Sequence, residues 1–161
     1  MKDREENDMY RKKLVEFIID ELKASIKYKT MCAYINKLGE NFGSYYMVYM
    51  NLRDICSIAN DELRHYRMFY EILISTTRIN TVVDFKYSIK IDRMSKTEIF
   101  DKLVEVIRTS IDKEIEDYNE YINFVSMFKD RLGEYKKFLD IIIKDERRHR
   151  NILKNTLRFM E

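Results

Sequence analysis

The chain contains no proline, and its only three glycines stand at Gly39, Gly43 and Gly133. A many-turned β fold needs such residues at its corners, so a chain this poor in them is confined to a few long helices.

The apolar residues agree with that restriction. In four stretches they recur at three and four positions, the spacing of one helix face. The first stretch runs from about Asn7 to Leu38, with Leu14, Phe17, Ile18, Glu21, Ala24, Tyr28, Met31, Ile35 and Leu38 on its stripe. The segment from Gly39 to Gly43 interrupts it, as glycine commonly ends a helix. The second runs from about Ser44 to Thr77, with Ile55, Ile58, Glu62, His65, Phe69 and Ile72. From Arg78 to Met94 the period is lost, and the segment reads as an extended crossover with a short strand-like piece. Ser95-Lys96-Thr97-Glu98 fits a capping box and opens the third stretch. Its stripe is Leu103, Ile107, Ile111, Glu114, Asp117/Tyr118, Tyr121, Val125 and Phe128. Lys129 to Gly133 reads as a turn, and the last stripe follows with Tyr135, Leu139, Ile142, Glu146, His149, Leu153 and Met160. The expected fold is all-α, one domain over residues 1–161, with two antiparallel helix pairs joined by one long crossover. At up to roughly 3.5 Å per residue, about 17 residues span a bundle, which lets the second and third helices run parallel.

Charge and cysteine usage narrow the function. Thirty Lys and Arg stand against 28 Asp and Glu, for a net charge of +2. A nucleic-acid binder would be more strongly basic. No apolar run is long enough for a membrane span, and the charged start from Lys2 to Asp8 does not read as a secretory signal. Cys32 and Cys56 belong to no CxxC or CxxH pattern. They read as reduced core residues of a cytoplasmic protein. The nine methionines and the run Tyr45-Tyr46-Met47-Val48-Tyr49 read as core or as the contact of a homodimer.

What interrupts the apolar stripes carries the chemistry. Each helix places a glutamate on its apolar face: Glu21, Glu62, Glu114 and Glu146. Two helices add a histidine three residues later, His65 and His149, and these are the only histidines in the chain. Residues i and i+3 share a helix face, so each pair can converge on one point. The fuller pattern Asp-Glu-x-Arg-His occurs twice, from Asp61 and from Asp145. The heights match as well. Glu21 lies about 18 residues before the first turn and Glu62 about 19 after it, so at roughly 1.5 Å per residue both stand at one level. Glu114 and Glu146, about 15 and 13 residues from the second turn, agree within one helical turn.

Four carboxylates meeting in a core repel one another and lose their hydration. Alone, they could persist only by taking up protons. Two divalent cations would cancel the four charges, and two neutral imidazoles would complete a mixed oxygen and nitrogen set. Such a set suits iron or manganese and lacks the soft sulfur of a structural zinc or copper site. Asp61 and Asp145 could accept the free ring N–H of each histidine and fix its tautomer, or could be ordinary exposed acids. Arg147, Arg148 and Arg150 read as solvent-facing, apart from what the motif turns inward.

With its Glu and Glu-x-x-His set, the chain resembles the ferritin-like superfamily, and within it the rubrerythrin-like di-iron proteins, over nearly its whole length. The repeats Glu21-x-x-Ala24-x-x-x-Tyr28 and Glu114-x-x-Asp117-x-x-x-Tyr121 add to the likeness and suggest a duplicated helix pair. The resemblance implies two iron ions per chain, with Glu62 and Glu146 or two of the other glutamates bridging, and reduction of peroxide or dioxygen. Rubrerythrins place an extra carboxylate three residues after the third-helix Glu. Asp117 holds that place, as a conditional ligand, a proton carrier or a polar neighbour. Tyr28 and Tyr121 are expected to hydrogen-bond a carboxylate, with a redox role as the further reading. Bacterioferritins carry a haem-ligand Met after the second-helix Glu. Leu63 stands there instead, so no haem is expected. The two Cys pairs of a rubredoxin module are absent, which implies a separate electron-donor protein. The alternatives are a ferritin-like iron-handling protein, an oxygenase acting on an organic substrate, and a metal-free helical interaction module.

Overall fold

The computed structural model describes residues 2–39, 46–78 and 94–161, and the side chains among them other than those of residues 2–3 and 46–51. These residues are helical throughout, apart from short connecting pieces. The α-helices are α1 (Lys2–Gly39), α2 (Tyr46–Thr77), α3 (Lys96–Leu132) and α4 (Lys136–Met160), with a 3-10 turn at Gly133–Tyr135 between the last two.

The ends follow local chemistry. Ser95 Oγ accepts from the Glu98 N–H at 3.3 Å, and Glu98 Oε2 accepts from the Ser95 N–H at 2.7 Å. That reciprocal pair satisfies two of the amide donors that every helix start leaves free. Helix α2 closes at Arg78, whose φ of 58° turns the chain into the left-handed region while its N–H still reaches Ile74 O at 3.0 Å. The turn expected at Lys129–Gly133 lies later in the structure. Phe128 leaves helical geometry (φ −121°, ψ 22°), but α3 resumes and ends only at Leu132. Phe128 and Leu132 are both buried, and keeping them in the core carries the helix through the break. Gly133 then takes φ +52°, a conformation that suits glycine. The expected crossover falls largely on residues 79–93, outside the described residues, as do the side chains of the whole Tyr45–Tyr49 run.

Pairs of contacts set the helix directions. Tyr10 meets Thr76, and Ser25 Oγ donates to Ala59 O at 3.0 Å, so α1 and α2 run antiparallel. Glu21 pairs with Tyr121 and Tyr28 with Glu114, so α1 and α3 are antiparallel too. Arg64 meets Asp145 while Arg148 meets Asp61, which makes α2 and α4 antiparallel. It follows that α2 and α3 point the same way, the arrangement that a long crossover permits.

The apolar core is two clusters rather than one. One gathers Met31, Ile35, Ile55, Ile58, Leu103 and Ile107; the other gathers Leu14, Phe17, Phe69, Phe124, Leu139 and Ile142. Tyr28 belongs to the first and Tyr121 to the second. Each fully buried Leu, Ile or Phe contributes about 1.5–3 kcal/mol. The two clusters therefore hold the helices together on either side of a layer that is polar.

One expectation is overturned here. Cys32 and Cys56 are not reduced core thiols: they are half-buried and form a disulfide between α1 and α2. Antiparallel packing places Cys32 and Cys56 at one level of neighbouring helices, with Cα atoms 5.2 Å apart, within bonding range. Their spacing in sequence shows nothing of this, and the pair no longer supports a reducing compartment. No helix among the described residues is long and apolar enough to cross a membrane.

Candidate metal centre

The polar layer between the two clusters is formed by the six residues that interrupt the stripes. Glu21, Glu62, Glu114 and Glu146 are no more than 3% exposed, and His65 and His149 are fully buried. They converge as two overlapping groups. Glu21, Glu62, His65 and Glu146 each offer an atom within 4.8 Å of the others, and so do Glu62, Glu114, Glu146 and His149. Glu62 and Glu146 are common to both groups, and each group has one further glutamate and one histidine.

The contacts follow this division. His65 Nδ1 lies 3.2 Å from Glu146, 3.5 Å from Glu21 and 3.6 Å from Glu62. His149 Nδ1 lies 3.1 Å from Glu62 and 3.4 Å from Glu114. These atoms are close without being aimed at one another. Glu62 Oε1, Glu114 Oε2, Glu146 Oε1 and both Nδ1 atoms are buried with no hydrogen-bond partner. A buried polar atom left unpaired costs about 1–3 kcal/mol. Five gathered at one place are all capable of ligating, and these Glu and His groups could hold a metal ion.

The opposite ring nitrogens are held across the helices. His65 Nε2 lies 3.2 Å from Asp145 of α4, and His149 Nε2 lies 3.3 Å from Asp61 of α2. Each aspartate therefore serves the histidine of the other motif. An N–H on Nε2 donated to the carboxylate leaves Nδ1 with its lone pair toward the ligand cluster. Two arginines lock the aspartates. Arg64 Nη2 donates to Asp145 at 2.6 Å and lies 2.9 Å from Asp61, while Arg148 donates to Asp61 and, at 3.3 Å, to Asp145. Burial works against the charge on both aspartates, but the histidines and arginines outweigh it and hold both below the ordinary range.

Sequence reasoning gave Arg64 no role; Arg148 is exposed, as expected, but its guanidinium also reaches the two aspartates. Both arginines come from the repeated Asp-Glu-x-Arg-His pattern, which was the signal that could have found them. Arg147 is exposed, as expected.

On the other side, two tyrosines cross between α1 and α3. Tyr28 donates to Glu114, and Tyr121 donates to Glu21. Burial, then the neighbouring carboxylate charges, raise both phenols well above their ordinary value, so both keep their protons and act as donors. Asp117 belongs to neither ligand group. Its Oδ1 takes a hydrogen bond from Lys113 Nζ at 2.6 Å, and burial raises it to about 6 despite that lysine. It lines a cavity together with Glu21 and Tyr121.

Without cations the cluster must collect protons. Burial and the charge of Glu62 raise Glu21 and Glu146 well above the usual carboxylate range. Burial opposes the charge on His149, yet Asp61, Glu114 and Glu62 outweigh it and push the ring up to about 12. His65 is raised for the same kind of reason, chiefly by Glu21 and Asp145 against burial. The site thus draws in positive charge, and protons stand where metal charge would otherwise be. Compared with protein-family models, curated proteins and solved structures, the chain finds no match.

Proposed function

We propose that the chain is a ferritin-like four-helix bundle carrying a non-haem di-iron site, and that it is an oxidoreductase resembling rubrerythrin that reduces peroxide with electrons from a separate donor protein. The observation that carries this reading is the overlap of the two ligand groups through Glu62 and Glu146. One ion would be held by Glu21 and His65, the other by Glu114 and His149, with Glu62 and Glu146 shared. Manganese suits the same donors.

Two ferrous ions, when bound, supply the two electrons that convert a peroxide and two protons into two waters. The chain's own residues do the rest. Asp61 and Asp145 orient the imidazoles and keep Nδ1 free. Tyr28 and Tyr121 hold Glu114 and Glu21 in place from the side opposite the cluster. Asp117, with a proton affinity near neutrality and a place beside Glu21, is the group suited to pass a proton in from the cavity. The apolar clusters above and below exclude bulk water and strengthen every charge interaction inside.

Anaerobic titration with Fe(II), read by elemental analysis, should saturate at about two ions per chain. Stopped-flow absorbance should then show peroxide oxidising the loaded chain much faster than free Fe(II). Equal rates would defeat the oxidoreductase reading. Iron loading far beyond two per chain would replace it with iron storage.

A further inference from the structure

The two sides of the metal centre are unlike. On the α2–α4 side, Asp61, Arg64, Asp145 and Arg148 close over both histidines. On the α1–α3 side, a cavity of about 280 Å³ opens onto Glu21 and Tyr121. It shares Lys23 and Lys27 with a larger cavity of about 430 Å³ along the same seam. The larger one is lined by Ile26, Met31, Tyr34 and Val106, with Lys23, Lys27 and Lys102 on its rim. Its volume falls in the range of small-molecule sites. From Lys23 to Tyr34 it follows α1 for about 16 Å, at 1.5 Å per residue.

From this arrangement we propose that the α1–α3 groove is a binding site for an amphiphilic carboxylate, a hydrocarbon body with one anionic group. The charges choose the sign. No acidic side chain lines the larger cavity among the described residues. Lys113, in the smaller cavity, is already matched by Asp117 at 2.6 Å and Asp20 at 3.9 Å. Lys23 and Lys102 make no ion pair among the described residues, and Lys27 Nζ lies over the Tyr28 ring, 4.6 Å from its centre. Three cations without a counter-charge among the described residues, beside an apolar trough, fit an anion whose remainder leaves water. The larger cavity shares Lys23 and Lys27 with the one at Glu21, so an occupant would lie near the proposed metal centre. None of the residues lining the larger cavity is a candidate ligand, and the site therefore does not need metal.

The test is calorimetric titration of the metal-free full chain with decanoate and, separately, with decylammonium. Decanoate should bind at least tenfold more tightly than decylammonium. Val106→Glu should weaken decanoate at least tenfold. The triple variant K23E/K27E/K102E should abolish the preference for the anion, and Lys102→Glu alone should reduce it at least threefold should the triple variant fail to fold. Circular dichroism and metal stoichiometry, measured on the same samples, should stay at wild-type values. A failed metal stoichiometry would leave the decanoate result standing, so the two readings fall separately. No decanoate binding, equal affinity for the two amphiphiles, or variants that bind as wild type would overturn the proposal. So would sedimentation showing a wild-type dimer that V106E dissociates, because the groove would then belong to a second copy of the chain.

Discussion

At the scale of single residues, the four glutamates are not equivalent. Glu62 and Glu146 belong to both ligand groups, whereas Glu21 and Glu114 belong to one each. Replacing a shared carboxylate should therefore cost both ions, and replacing an unshared one should cost a single ion. By equilibrium dialysis and elemental analysis, Glu62→Ala and Glu146→Ala should retain well under one metal per chain. Glu21→Ala and Glu114→Ala should retain about one, following the two-ion geometry of such bundles. Equal losses in all four would refute the bridging assignment. The aspartates give a second prediction. Asp61 supports His149 and Asp145 supports His65, so Asp61→Ala should weaken chiefly the ion beside His149, by about 10–100-fold. Competition with a chelator of known affinity measures the loss, and an unchanged affinity would leave Asp61 with no part in holding the ion. Glu-x-x-His spacing showed these ligands in the sequence because i and i+3 share a face whatever the tertiary fold. Which aspartate serves which histidine was hidden, because that pairing crosses between helices 80 and 88 residues apart in the chain.

At the scale of elements, the helices were legible almost to their ends. Periodicity reports burial, and burial here is decided by one face of each long helix. The Ser95 cap is a local signature and was readable as such. The α3 end was not, since the break at Phe128 is bridged by burial of Leu132 against residues of other helices. The disulfide belongs to this scale. It joins α1 to α2 across 24 residues of chain, and a loop of that size corresponds to about 3.5 kcal/mol of unfolded-state entropy. Denaturant unfolding of the Cys32→Ser/Cys56→Ser variant should show a loss of that order. Metal stoichiometry should stay unchanged, because neither cysteine lies in a ligand group. A variant as stable as the parent would mean that the bridge constrains little.

At the scale of the whole molecule, the polar layer sits between two apolar clusters and gathers buried Glu and His atoms that have no hydrogen-bond partner. Glu21, Glu146, His65 and His149 all have folded-state proton affinities raised above their ordinary values. Such groups contribute stability that is complete below the ordinary pKa and is lost as pH rises through the raised one. Glu62 is lowered, with burial opposed by its neighbours, and contributes in the opposite sense, losing its share as pH falls. The lowered carboxylates Glu62, Asp61 and Asp145 lose their share only as pH falls, so on the alkaline side the raised groups decide, and the metal-free protein becomes less stable as pH rises. Metal binding expels the protons, so affinity should rise with pH. The gap in melting temperature between loaded and chelator-treated protein should widen from about pH 6 to about pH 8, with stabilisation of about 2.7 kcal/mol for each bound ion at a hundredfold excess over Kd. A gap that narrows over that range would contradict the proton inventory of the site. Helix periodicity, the absence of proline and the two Glu-x-x-His motifs were enough to establish an all-helical chain with six ligand candidates on its inner faces, because those are properties of a helix and its own neighbours. The sharing of Glu62 and Glu146, the crossed Asp–His pairs, the arginines that hold them, the Cys32–Cys56 bridge and the open α1–α3 seam were decided only when the helices met. Each depends on which residues of separate helices reach the same height and azimuth, and no spacing within one helix encodes that.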